Sequence, residues 1–549
     1  MTSTLHPSAH IDTWPRQQLP PESEWPVLQF EAPYLYPPRL NAAVRLLDDA
    51  VREGHGDRIA LVTPDGHGGW AHTTYGDLAT QVDALAGVLV RDLALVPGNR
   101  VLLRGFNGRW MAAAWLATLK AGLVAVPTMP LLRAQELGVI IDRAQCTAAL
   151  CDARLSDELR QAVRAPLDAD AVRCWGTDAP DGLEALMATH DSPFTACDTS
   201  SDDVCLIAFT SGTTGVPKGC MHFHRDVLAM CDGFSAQVLG LGAIDRCIGT
   251  PPLAFTFGLG GLLAFPMAAR ASTVLLEKCT PESLLDAIAG ARATVSFTAP
   301  TFYRHMALAI EKEPSRFTTA SLRASVSAGE ALPDATRTLW RQSTGVEMLD
   351  GIGATEMIHI FIAAAGADVR PGAIGRAVPG YTVAVLDDAM RPVKHGEVGR
   401  LAVRGPTGCR YMDDPRQRDY VRDGWNLTGD AATMDADGYV FFKARTDDLI
   451  LSSGYNIGAP EVEAAVLQHP DVAECAVVGV PDADRGQAVK AFVVLMAGAT
   501  GDDALAHGIQ DFVKATIAPY KYPRVVEFVA ALPKTDTGKL QRFRLKESK

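Results

Sequence analysis

The ten residues from Thr210 to Gly219 constrain this chain more than any other stretch. They read Thr-Ser-Gly-Thr-Thr-Gly-Val-Pro-Lys-Gly and follow an apolar run, residues 204–209, that is typical of a buried strand. Glycines let backbone N–H groups approach a ligand closely, and consecutive N–H groups in such turns form anion-binding nests. The hydroxyls add donors, and Lys218 adds a positive charge. The pattern predicts a loop that holds phosphate.

Two other interpretations of this stretch compete with a specialised phosphate loop. A Ser/Thr/Gly cluster between a strand and a helix often serves only as a connection. The P-loop of kinases and GTPases has a similar composition, but it requires Ser or Thr directly after its lysine, where the hydroxyl reaches the metal. Here Pro217 precedes Lys218 and Gly219 follows it, so the spacing excludes a P-loop.

The stretch resembles the phosphate-binding signature of the adenylate-forming superfamily, which includes acyl-CoA synthetases, aryl-CoA ligases, peptide-synthetase adenylation domains and luciferases. The resemblance implies that ATP activates a carboxylate as an acyl-adenylate and that a nucleophile then displaces AMP. The phosphate-loop residues that it implies are Thr210, Ser211, Gly212, Thr213, Thr214, Gly215 and Lys218.

Length, charge and cysteine usage restrict the class of protein. A chain of 549 residues is too long for one ordinary core, so we expect two or more domains. The formal net charge of −13 argues against a nucleic-acid partner, which would need a basic face. The 11 cysteines include no Cys-x-x-Cys pair, and residues 1–10 lack a basic segment followed by an apolar one. We therefore expect a cytoplasmic protein without structural disulfides.

One uncharged stretch, residues 247–269, raises the question of a membrane. A membrane-spanning helix needs about 20 apolar residues. This stretch contains Pro251, Pro252 and Pro266 as well as several glycines. We interpret it as a buried strand followed by a pocket-lining loop, and we expect no membrane span.

The order of apolar segments predicts the fold class. Strand-like and helical patterns alternate through the first two thirds of the chain, which favours mostly parallel sheets covered by helices on both faces. Short alternating strands with Gly/Asp turns follow from about residue 382. The fold class is therefore α/β: a large N-terminal domain of parallel-rich sheets flanked by helices plus a β-rich subdomain, with a small mobile α+β C-terminal domain. Segments expected in the small domain are helices at 460–467 and 503–516 and paired strands at 473–480 and 488–495.

A polar break at residues 445–448 separates the two domains. We place the boundary at Asp447, which gives a large domain of residues 1–446 and a small domain of residues 447–549. The resemblance implies that the large domain holds ATP and the acyl pocket. It also implies that the small domain rotates about Asp447 as a hinge between the two half-reactions.

A second motif, residues 350–357, reads Asp-Gly-Ile-Gly-Ala-Thr-Glu-Met and resembles the superfamily's second nucleotide motif. The resemblance implies that Thr355 bonds the α-phosphate and that Glu356 holds Mg²⁺ with the phosphate oxygens, both in catalytic roles. The Ser-Ala-Gly-Glu-Ala segment at residues 327–331 resembles the one whose backbone packs on adenine. The nucleotide-binding residues implied by these two motifs are Gly329, Glu330, Ala331, Asp350 and Gly351.

A third motif, the Trp-Asn-Leu-Thr-Gly-Asp at residues 425–430, resembles the family's ribose motif. Asp430 is expected to accept hydrogen bonds from the ribose hydroxyls, a task suited to an ionised carboxylate, and Arg445 is expected to join it. Both are implied to be nucleotide-binding.

The C-terminal motif, Leu-Pro-Lys-Thr-Asp-Thr-Gly-Lys at residues 532–539, resembles the last superfamily motif. It implies that Lys539 is catalytic, because a mobile ammonium offsets the repulsion between the carboxylate and the α-phosphate. Residues 452–456 resemble the loop that lines the pantetheine tunnel. The CoA-binding residues implied are Ser453, Gly454 and Tyr455.

The acid substrate is indicated by residues 254–260, Ala-Phe-Thr-Phe-Gly-Leu-Gly, and by residues 353–361. Both resemble benzoate-type CoA ligases, and the phenyl rings of Phe255 and Phe257 are suited to pack on a flat ring. The acyl-pocket residues proposed are Phe255, Thr256, Phe257, Gly258, Ala328 and His359. The segment Ser-Ala-His-Ile-Asp-Thr-Trp at residues 8–14 resembles 2-aminobenzoate-CoA ligases, and His359 either faces an ortho-amino group or only packs and bonds a neighbour.

Other functions remain open at this point. Benzoate or another substituted benzoate is an alternative acid, and a carrier protein acting in trans is an alternative acceptor to CoA. A luciferase-like oxygenase would share every ATP motif, whereas a non-catalytic AMP sensor is expected to have lost Glu356 or Lys539, and both are present. The expected partners are a small aromatic carboxylic acid, ATP and CoA, with a homodimer as a further possibility.

Overall fold

The structure, a computed structural model, describes residues 5–210, 217–445, 449–452, 455–482, 486–517, 519–534 and 540–547. It leaves out the side chains of residues 449, 451, 455, 456, 486, 543 and 547. The strands within these ranges are β1 Ile59–Pro64, β2 Trp70–Thr74, β3 Arg100–Arg104, β4 Val124–Thr128, β5 Ala148–Asp152, β6 Val172–Trp175, β7 Val204–Thr210, β8 Lys218–Phe223, β9 Arg246–Gly249, β10 Ser272–Val274, β11 Val295–Thr298, β12 Ala324–Ser327, β13 Met348–Gly353, β14 Ile360–Ala363, β15 Arg376–Ala377, β16 Thr382–Leu386, β17 Gly399–Arg404, β18 Val421–Arg422, β19 Trp425–Met434, β20 Val440–Arg445, β21 Leu449–Ser452, β22 Tyr455–Gly458, β23 Val472–Asp482, β24 Gly486–Leu495 and β25 Val525–Phe528.

The α-helices in the same ranges are α1 Trp14–Gln17, α2 Tyr75–Gly87, α3 Arg109–Lys120, α4 Ala134–Ala144, α5 Ser156–Ala162, α6 Leu183–Met187, α7 His224–Met230, α8 Thr256–Leu259, α9 Phe265–Ala268, α10 Pro281–Ala291, α11 Pro300–Lys312, α12 Asp334–Thr344, α13 Gln417–Tyr420, α14 Ala459–Val466, α15 Asp503–Thr516 and α16 Arg542–Glu547. Turns of π-helix lie at Val44–Asp48, Val51–His55, Val88–Asp92, Cys231–Leu239 and Gly260–Ala264.

The first sheet has the strand order β6-β5-β3-β4-β7-β8. Its pairs are parallel as far as β7, and β8 closes the edge antiparallel to β7. Every residue of β3, β4 and β5 is buried, as expected for a parallel sheet that is covered on both faces. The strand–helix–strand alternation in the sequence therefore predicted this layer correctly.

The second sheet has the order β15-β14-β13-β12-β11-β9-β10-β1-β2. Its central pairs, from β13 to β1, are parallel, and the antiparallel pairs lie at the two edges. Thr74 caps α2 with the reciprocal Thr74–Asp77 hydrogen bonds of a capping box, which fixes the helix start next to β2.

Two smaller sheets follow. The β-rich subdomain is an antiparallel sheet, β16-β17-β19-β18, with β20 also paired to β19. The C-terminal sheet, β22-β21-β24-β23, carries β25 parallel to β24. Ile450, Val462, Val477, Val493 and Ile509 belong to a separate buried cluster between this sheet and its helices. The α/β class, with a large N-terminal and a smaller C-terminal domain, is confirmed.

The chain on either side of the phosphate-loop stretch forms a hairpin. β8 begins at Lys218, which pairs with Thr210 of β7, and α7 begins only at His224. The stretch thus joins two antiparallel strands and not a strand and a helix. Glycine and hydroxyl content predicts a connection, but the following apolar residues suit a strand and a helix equally well.

The expectation of a pocket-lining loop within residues 247–269 was wrong in part. The buried strand is present as β9, but α8, the π-helical turn Gly260–Ala264 and α9 together make residues 256–268 helical. Pro266 stands at the start of α9, directly after the π-helical turn, where the change of hydrogen-bond pattern accommodates a residue without an N–H. Within the described ranges, every helix is too short or too polar to cross a membrane.

Candidate functional site

The carboxyl ends of the parallel strands in the second sheet bring the sequence motifs together. In register, Thr298 of β11 lies beside Ser327 of β12, and Ser327 lies beside Asp350 of β13. Thr250, directly after β9, has its hydroxyl 2.5 Å from that of Thr298. The segments that follow these strands therefore begin side by side. Ligands of open α/β sheets bind outside this edge, which makes it the candidate site.

Lys218, Tyr411 and Glu356 form a polar cluster at this site. Lys218 Nζ donates a hydrogen bond to the Tyr411 hydroxyl over 2.6 Å, and that hydroxyl donates to Glu356 Oε1 over 2.5 Å. Lys218 Nζ is 3.5 Å from Glu356 Oε1 and 4.5 Å from the centroid of the Tyr411 ring. Burial raises the pKa of the Tyr411 phenol, so it keeps its proton at neutral pH. A cation, a phenol and a carboxylate thus lie in contact.

Thr355 lies next to Glu356 with its hydroxyl free of hydrogen bonds to any described residue, and its carbonyl oxygen accepts from His222 Nε2 over 2.8 Å. Ile358, which follows, has φ of 65°, a region that a β-branched residue rarely adopts. Such strain costs on the order of 1–3 kcal/mol and is concentrated at functional sites. The turn at Ile358 lets Glu356 reach Lys218 while His359 packs among aromatic rings.

Asp430 and Arg445 lie opposite each other on β19 and β20. Arg445 Nη1 bonds Asp430 Oδ1 and the Thr428 carbonyl oxygen, each over 2.9 Å. Burial raises the pKa of Asp430, and the Arg445 guanidinium opposes that change. Gly429, between Thr428 and Asp430 in the sequence, has φ of 75°, and a Cβ there would meet the Arg445 guanidinium at 2.7 Å. The predicted ribose pair is therefore brought together by the structure.

The first part of the predicted acyl pocket is the start of α8. Phe255 is the residue before the helix, and its side chain is half-buried. Thr256 is buried, and its hydroxyl has no hydrogen-bond partner among the described residues. A Cβ at Gly258 would meet the Pro252 carbonyl oxygen at 2.1 Å, so this close approach requires glycine.

The second part is an aromatic cluster around His359. Its ring centroid lies 4.5 Å from that of Phe265, 5.7 Å from that of Phe257 and 5.8 Å from that of Phe234. Its Nε2 is 3.4 Å from the Phe257 carbonyl oxygen, and its buried Nδ1 has no partner among the described residues. Burial lowers the pKa of His359 to about 3, so the ring is neutral. Among the described residues, the Phe255 ring makes no ring–ring contact with this cluster. Phe255 and Phe257 therefore do not pack against each other.

The predicted adenine segment follows β12 directly. Ala328 is buried, and Gly329 has φ of 92°, which favours glycine over any residue with a side chain. Glu330 accepts a hydrogen bond from the Thr301 hydroxyl over 3.0 Å, which ties the segment to α11. Ala331 is exposed. Gly329 is exposed as well, so the backbone of this segment is accessible.

Asp350 is a buried carboxyl within β13, at the residue where the parallel pairing of β13 with β12 ends. Burial raises its pKa to about 7, and the Arg337 guanidinium and the Gly351 N–H, 3.1 Å away, oppose the rise. The unfolded chain ionises this group near its ordinary value of 3.8. The folded state therefore binds the proton more tightly, and the stability that the carboxyl contributes is lost as pH rises toward and through 7.

We expect Asp350→Asn to stabilise the protein in a pH-dependent way. An amide never ionises, so the variant avoids the cost of a buried carboxylate. Its free energy of unfolding, measured by urea titration, is expected to exceed that of the wild type by an amount that grows by on the order of 2–3 kcal/mol between pH 5 and pH 8. The matched control is Asp286→Asn, at an exposed carboxyl of α10. A difference for Asp350→Asn that stays constant with pH would contradict the assigned burial effect.

Several predicted site residues lie outside the described part of the chain. Of the phosphate loop, only Thr210 and Lys218 are described. The hinge residue and the catalytic lysine are outside it, as are two of the CoA-binding residues and the side chain of the third. These residues are Ser211, Gly212, Thr213, Thr214, Gly215, Asp447, Ser453, Gly454, Tyr455 and Lys539.

Tyr411 and Tyr420 are the residues at this site that sequence reasoning missed. Their rings lie 5.7 Å apart, and Lys218 Nζ is 6.0 Å from the centroid of the Tyr420 ring. They stand in a segment between recognised motifs, with neither helical nor strand periodicity to place them. A bridge between Cys220 and Tyr411 brings that segment against β8, which is a tertiary contact that no local pattern reports.

Comparison with known proteins agrees with this geometry. Residues 47–410 match the family described as AMP-binding enzyme, and residues 461–539 match the AMP-binding enzyme C-terminal domain. The chain belongs to the AMP-binding enzyme family. Over 516 residues, this family member is 34% identical to the benzoate–CoA ligase of Thauera aromatica, with 93% of this chain and 97% of that protein covered.

Solved structures of this family are similar to this chain over more than nine tenths of its length. The crystal structure of the anthranilate CoA ligase AuaEII in complex with anthranoyl-AMP matches with a TM-score of 0.87 and 33% identity, covering 93% of this chain and 98% of that one. A benzoate CoA ligase from Burkholderia xenovorans LB400 matches with a TM-score of 0.83 and 31% identity, covering 92% and 100%. The predictions of an adenylate-forming superfamily member, of its aryl-CoA ligase branch and of an acid–thiol ligase are confirmed.

Proposed function

We propose that this AMP-binding enzyme is an ATP-dependent ligase that joins 2-aminobenzoate to CoA through an aryl-adenylate and releases AMP and pyrophosphate. The observation that carries the proposal is the chain from Glu356 to His359. Within four residues it contributes a carboxylate to the Lys218 cluster and an imidazole to an aromatic cluster. An aromatic acid bound against the aromatic cluster would have its carboxylate near the Lys218 cluster, where the phosphates of ATP are proposed to bind.

The nucleotide is assigned to the open edge of the second sheet. Adenine packs on the backbone of Gly329, Glu330 and Ala331 and lies beside Asp350 and Gly351. The ribose hydroxyls donate to Asp430, which Arg445 helps to keep ionised. The Thr355 hydroxyl, which has no hydrogen-bond partner among the described residues, donates to the α-phosphate, and Lys218 supplies positive charge toward the phosphates. The last two contacts, from the Thr355 hydroxyl and the Lys218 ammonium, favour the negative charge that the phosphates carry during adenylation.

A magnesium ion fits the donor set of this site. Glu356 Oε1 is held by Tyr411 and Lys218, whereas no hydrogen bond among the described residues ends on Oε2. The described chain holds no cluster of three metal-ligating side chains. Mg²⁺ suits such a site, because it commonly binds one or two carboxylates and completes its coordination with substrate phosphates and water. When bound, it neutralises the charge that develops on the phosphates.

The preference for 2-aminobenzoate rests on the tautomer of His359. A carbonyl oxygen only accepts hydrogen bonds, so the contact with Phe257 places the ring proton on Nε2 and leaves Nδ1 as an acceptor. This buried acceptor lacks a partner among the described residues, and an arylamine N–H would supply one. The similarity to a structure with anthranoyl-AMP supports the same acid. Benzoate and other substituted benzoates are the alternatives, supported by the benzoate–CoA ligase relatives.

The thiol acceptor is assigned to CoA through Ser453, Gly454 and Tyr455 of the small domain. The small domain would rotate about Asp447 to exchange Lys539 for these residues after the adenylate has formed. A thiol needs little help from a general base, since a fraction is already thiolate near neutral pH. A carrier protein with the same thiol chemistry is the alternative acceptor.

The test is a panel of acids with Mg-ATP and CoA, with AMP, pyrophosphate and thioester measured by chromatography. We expect equimolar AMP and aryl-CoA, high kcat/KM for 2-aminobenzoate and benzoate, and almost no turnover of acetate or palmitate. ADP and phosphate as products would overturn the adenylate mechanism. Pyrophosphate release with an accumulated aryl-adenylate, but with neither thioester nor AMP, would favour the carrier-protein alternative. If benzoate exceeds 2-aminobenzoate by more than about tenfold, roughly 1.4 kcal/mol, benzoate replaces it as the assigned acid.

A His359→Leu variant tests whether the preference for 2-aminobenzoate over benzoate depends on the acceptor nitrogen of His359. Leucine retains apolar bulk but offers no acceptor. The ratio of kcat/KM for 2-aminobenzoate to that for benzoate is expected to fall about tenfold, with benzoate turnover less affected. An unchanged ratio would show that His359 only packs against its neighbours.

A further inference from the structure

Tyr411 occupies a position between two opposite charges. Its hydroxyl accepts from Lys218 over 2.6 Å and donates to Glu356 over 2.5 Å, while the two charged groups remain 3.5 Å apart. Direct charge-assisted N–H···O bonds are shorter, about 2.7–2.9 Å. The side chains of Lys218 and Glu356 are 21% and 11% exposed, so solvent screens their attraction only weakly. The Tyr411 phenol therefore lies where Lys218 and Glu356 would otherwise approach each other to direct hydrogen-bond distance.

The backbone around Tyr411 holds the phenol in place. Arg410 forms a fully buried ion pair with Asp226 over 2.7 Å. The Tyr411 N–H donates to Gln417 Oε1 over 2.9 Å, and the Met221 N–H of β8 donates to the Arg410 carbonyl oxygen over 2.8 Å. Because β8 also carries Lys218, the lysine and the tyrosine are fixed to each other through the same strand pairing.

A tight ion pair between Lys218 and Glu356 would oppose the proposed function. Each charge would neutralise the other, and an incoming triphosphate with its cation would have to break the pair before binding. A phenol between them satisfies the lysine with an acceptor and the carboxylate with a donor, yet leaves both charges in place. Nucleotide binding then replaces one hydrogen bond on each side.

We propose that Tyr411 is a positioning residue that keeps Lys218 and Glu356 apart, so that the lysine meets phosphate and the carboxylate meets the metal. The inference rests on the proposed roles of Lys218 and Glu356. Tyr420 supports the arrangement from behind: its ring packs edge-on against the Tyr411 ring, and its buried hydroxyl has no partner among the described residues.

The test is Tyr411→Phe, which removes the hydroxyl and keeps the ring that lies against Lys218. We expect a crystal structure of the variant without nucleotide to show Lys218 Nζ and Glu356 Oε1 within about 3 Å of each other. We also expect calorimetry without any acid, and thus without turnover, to give a Kd for Mg-ATP about tenfold higher, or about 1.4 kcal/mol. The KM for the aromatic acid is expected to stay unchanged.

Tyr75→Phe is the matched control, because its hydroxyl bonds the Ala271 carbonyl oxygen in a buried position away from these charges. It is expected to leave the Kd for Mg-ATP unchanged. The proposal is wrong if Lys218 Nζ and Glu356 Oε1 stay 3.5 Å or more apart in Tyr411→Phe. It is also wrong if the Kd of Tyr411→Phe for Mg-ATP equals that of the Tyr75→Phe control. Failure of wild-type protein to bind Mg-ATP would instead remove the proposed function, whereas the distance in the variant tests the positioning role of Tyr411 by itself.

Discussion

Glu356→Gln is expected to reduce aryl-adenylate formation about 10³-fold, measured as acid-dependent ATP–pyrophosphate exchange. Glutamine keeps the size of the side chain and an oxygen for the Tyr411 hydroxyl, but it removes the charge. The amide is a poor ligand for Mg²⁺, and Lys218 loses its buried counter-charge. Loss of one group that stabilises developing charge commonly costs 10²–10³-fold, and here two effects combine.

The fold of Glu356→Gln should be retained, so its thermal midpoint and its Kd for the aromatic acid are expected to stay close to those of the wild type. Glu397→Gln, at an exposed turn before β17, is the matched control and should exchange pyrophosphate normally. Exchange within tenfold of the wild type, at saturating Mg-ATP, would show that Glu356 does not hold the metal and phosphates.

Lys539→Ala is expected to separate the two half-reactions. Lys539 lies outside the described residues, and its proposed role rests on the resemblance of the C-terminal motif to the last superfamily motif. An ammonium between the carboxylate and the α-phosphate offsets their repulsion only while the adenylate forms. Pyrophosphate exchange should therefore fall by about 10³-fold. Single-turnover thioester formation from synthetic aryl-adenylate and CoA should stay within about threefold of the wild type.

The matched control is Lys546→Ala, a neighbouring lysine of the same basic C-terminal run, which should leave both half-reactions intact. Equal slowing of the two steps in Lys539→Ala would contradict the rotation of the small domain between two working orientations. It would leave the adenylate chemistry itself, which Glu356→Gln tests, unaffected.

Local sequence patterns were sufficient to predict the helices and strands that form long, regular segments. The helix predicted at residues 503–516 is α15, Asp503–Thr516, and the two long paired strands predicted before it are β23 and β24. In these segments burial is one-sided or continuous, so the period of apolar residues reports the backbone. The prediction of a loop within the uncharged segment 247–269 was wrong in part. A buried helix and a buried loop have the same apolar composition, and the prolines suggested the loop.

The aromatic pocket shows a different limit. Sequence resemblance placed Phe255, Phe257 and His359 in one pocket, whereas the structure packs Phe257 and His359 with Phe234, Phe265 and Phe297. Phe234 and Phe297 come from segments far apart in sequence. Ring–ring distances and the neutral state of His359 depend on those neighbours, so no local pattern reports them.

The sequence alone identified the superfamily and the reaction class, because its motifs resemble those of adenylate-forming enzymes in residue type and in spacing. The residues that this resemblance implies for phosphate, ribose and metal stay predictions. The sequence also determined the alternation of strands and helices, which follows from the period of apolar residues. Only the tertiary structure decided that Tyr411 stands between Lys218 and Glu356, because an antiparallel bridge between distant segments creates that contact. Burial, which likewise exists only in the packed chain, set the charge states of Asp350 and His359.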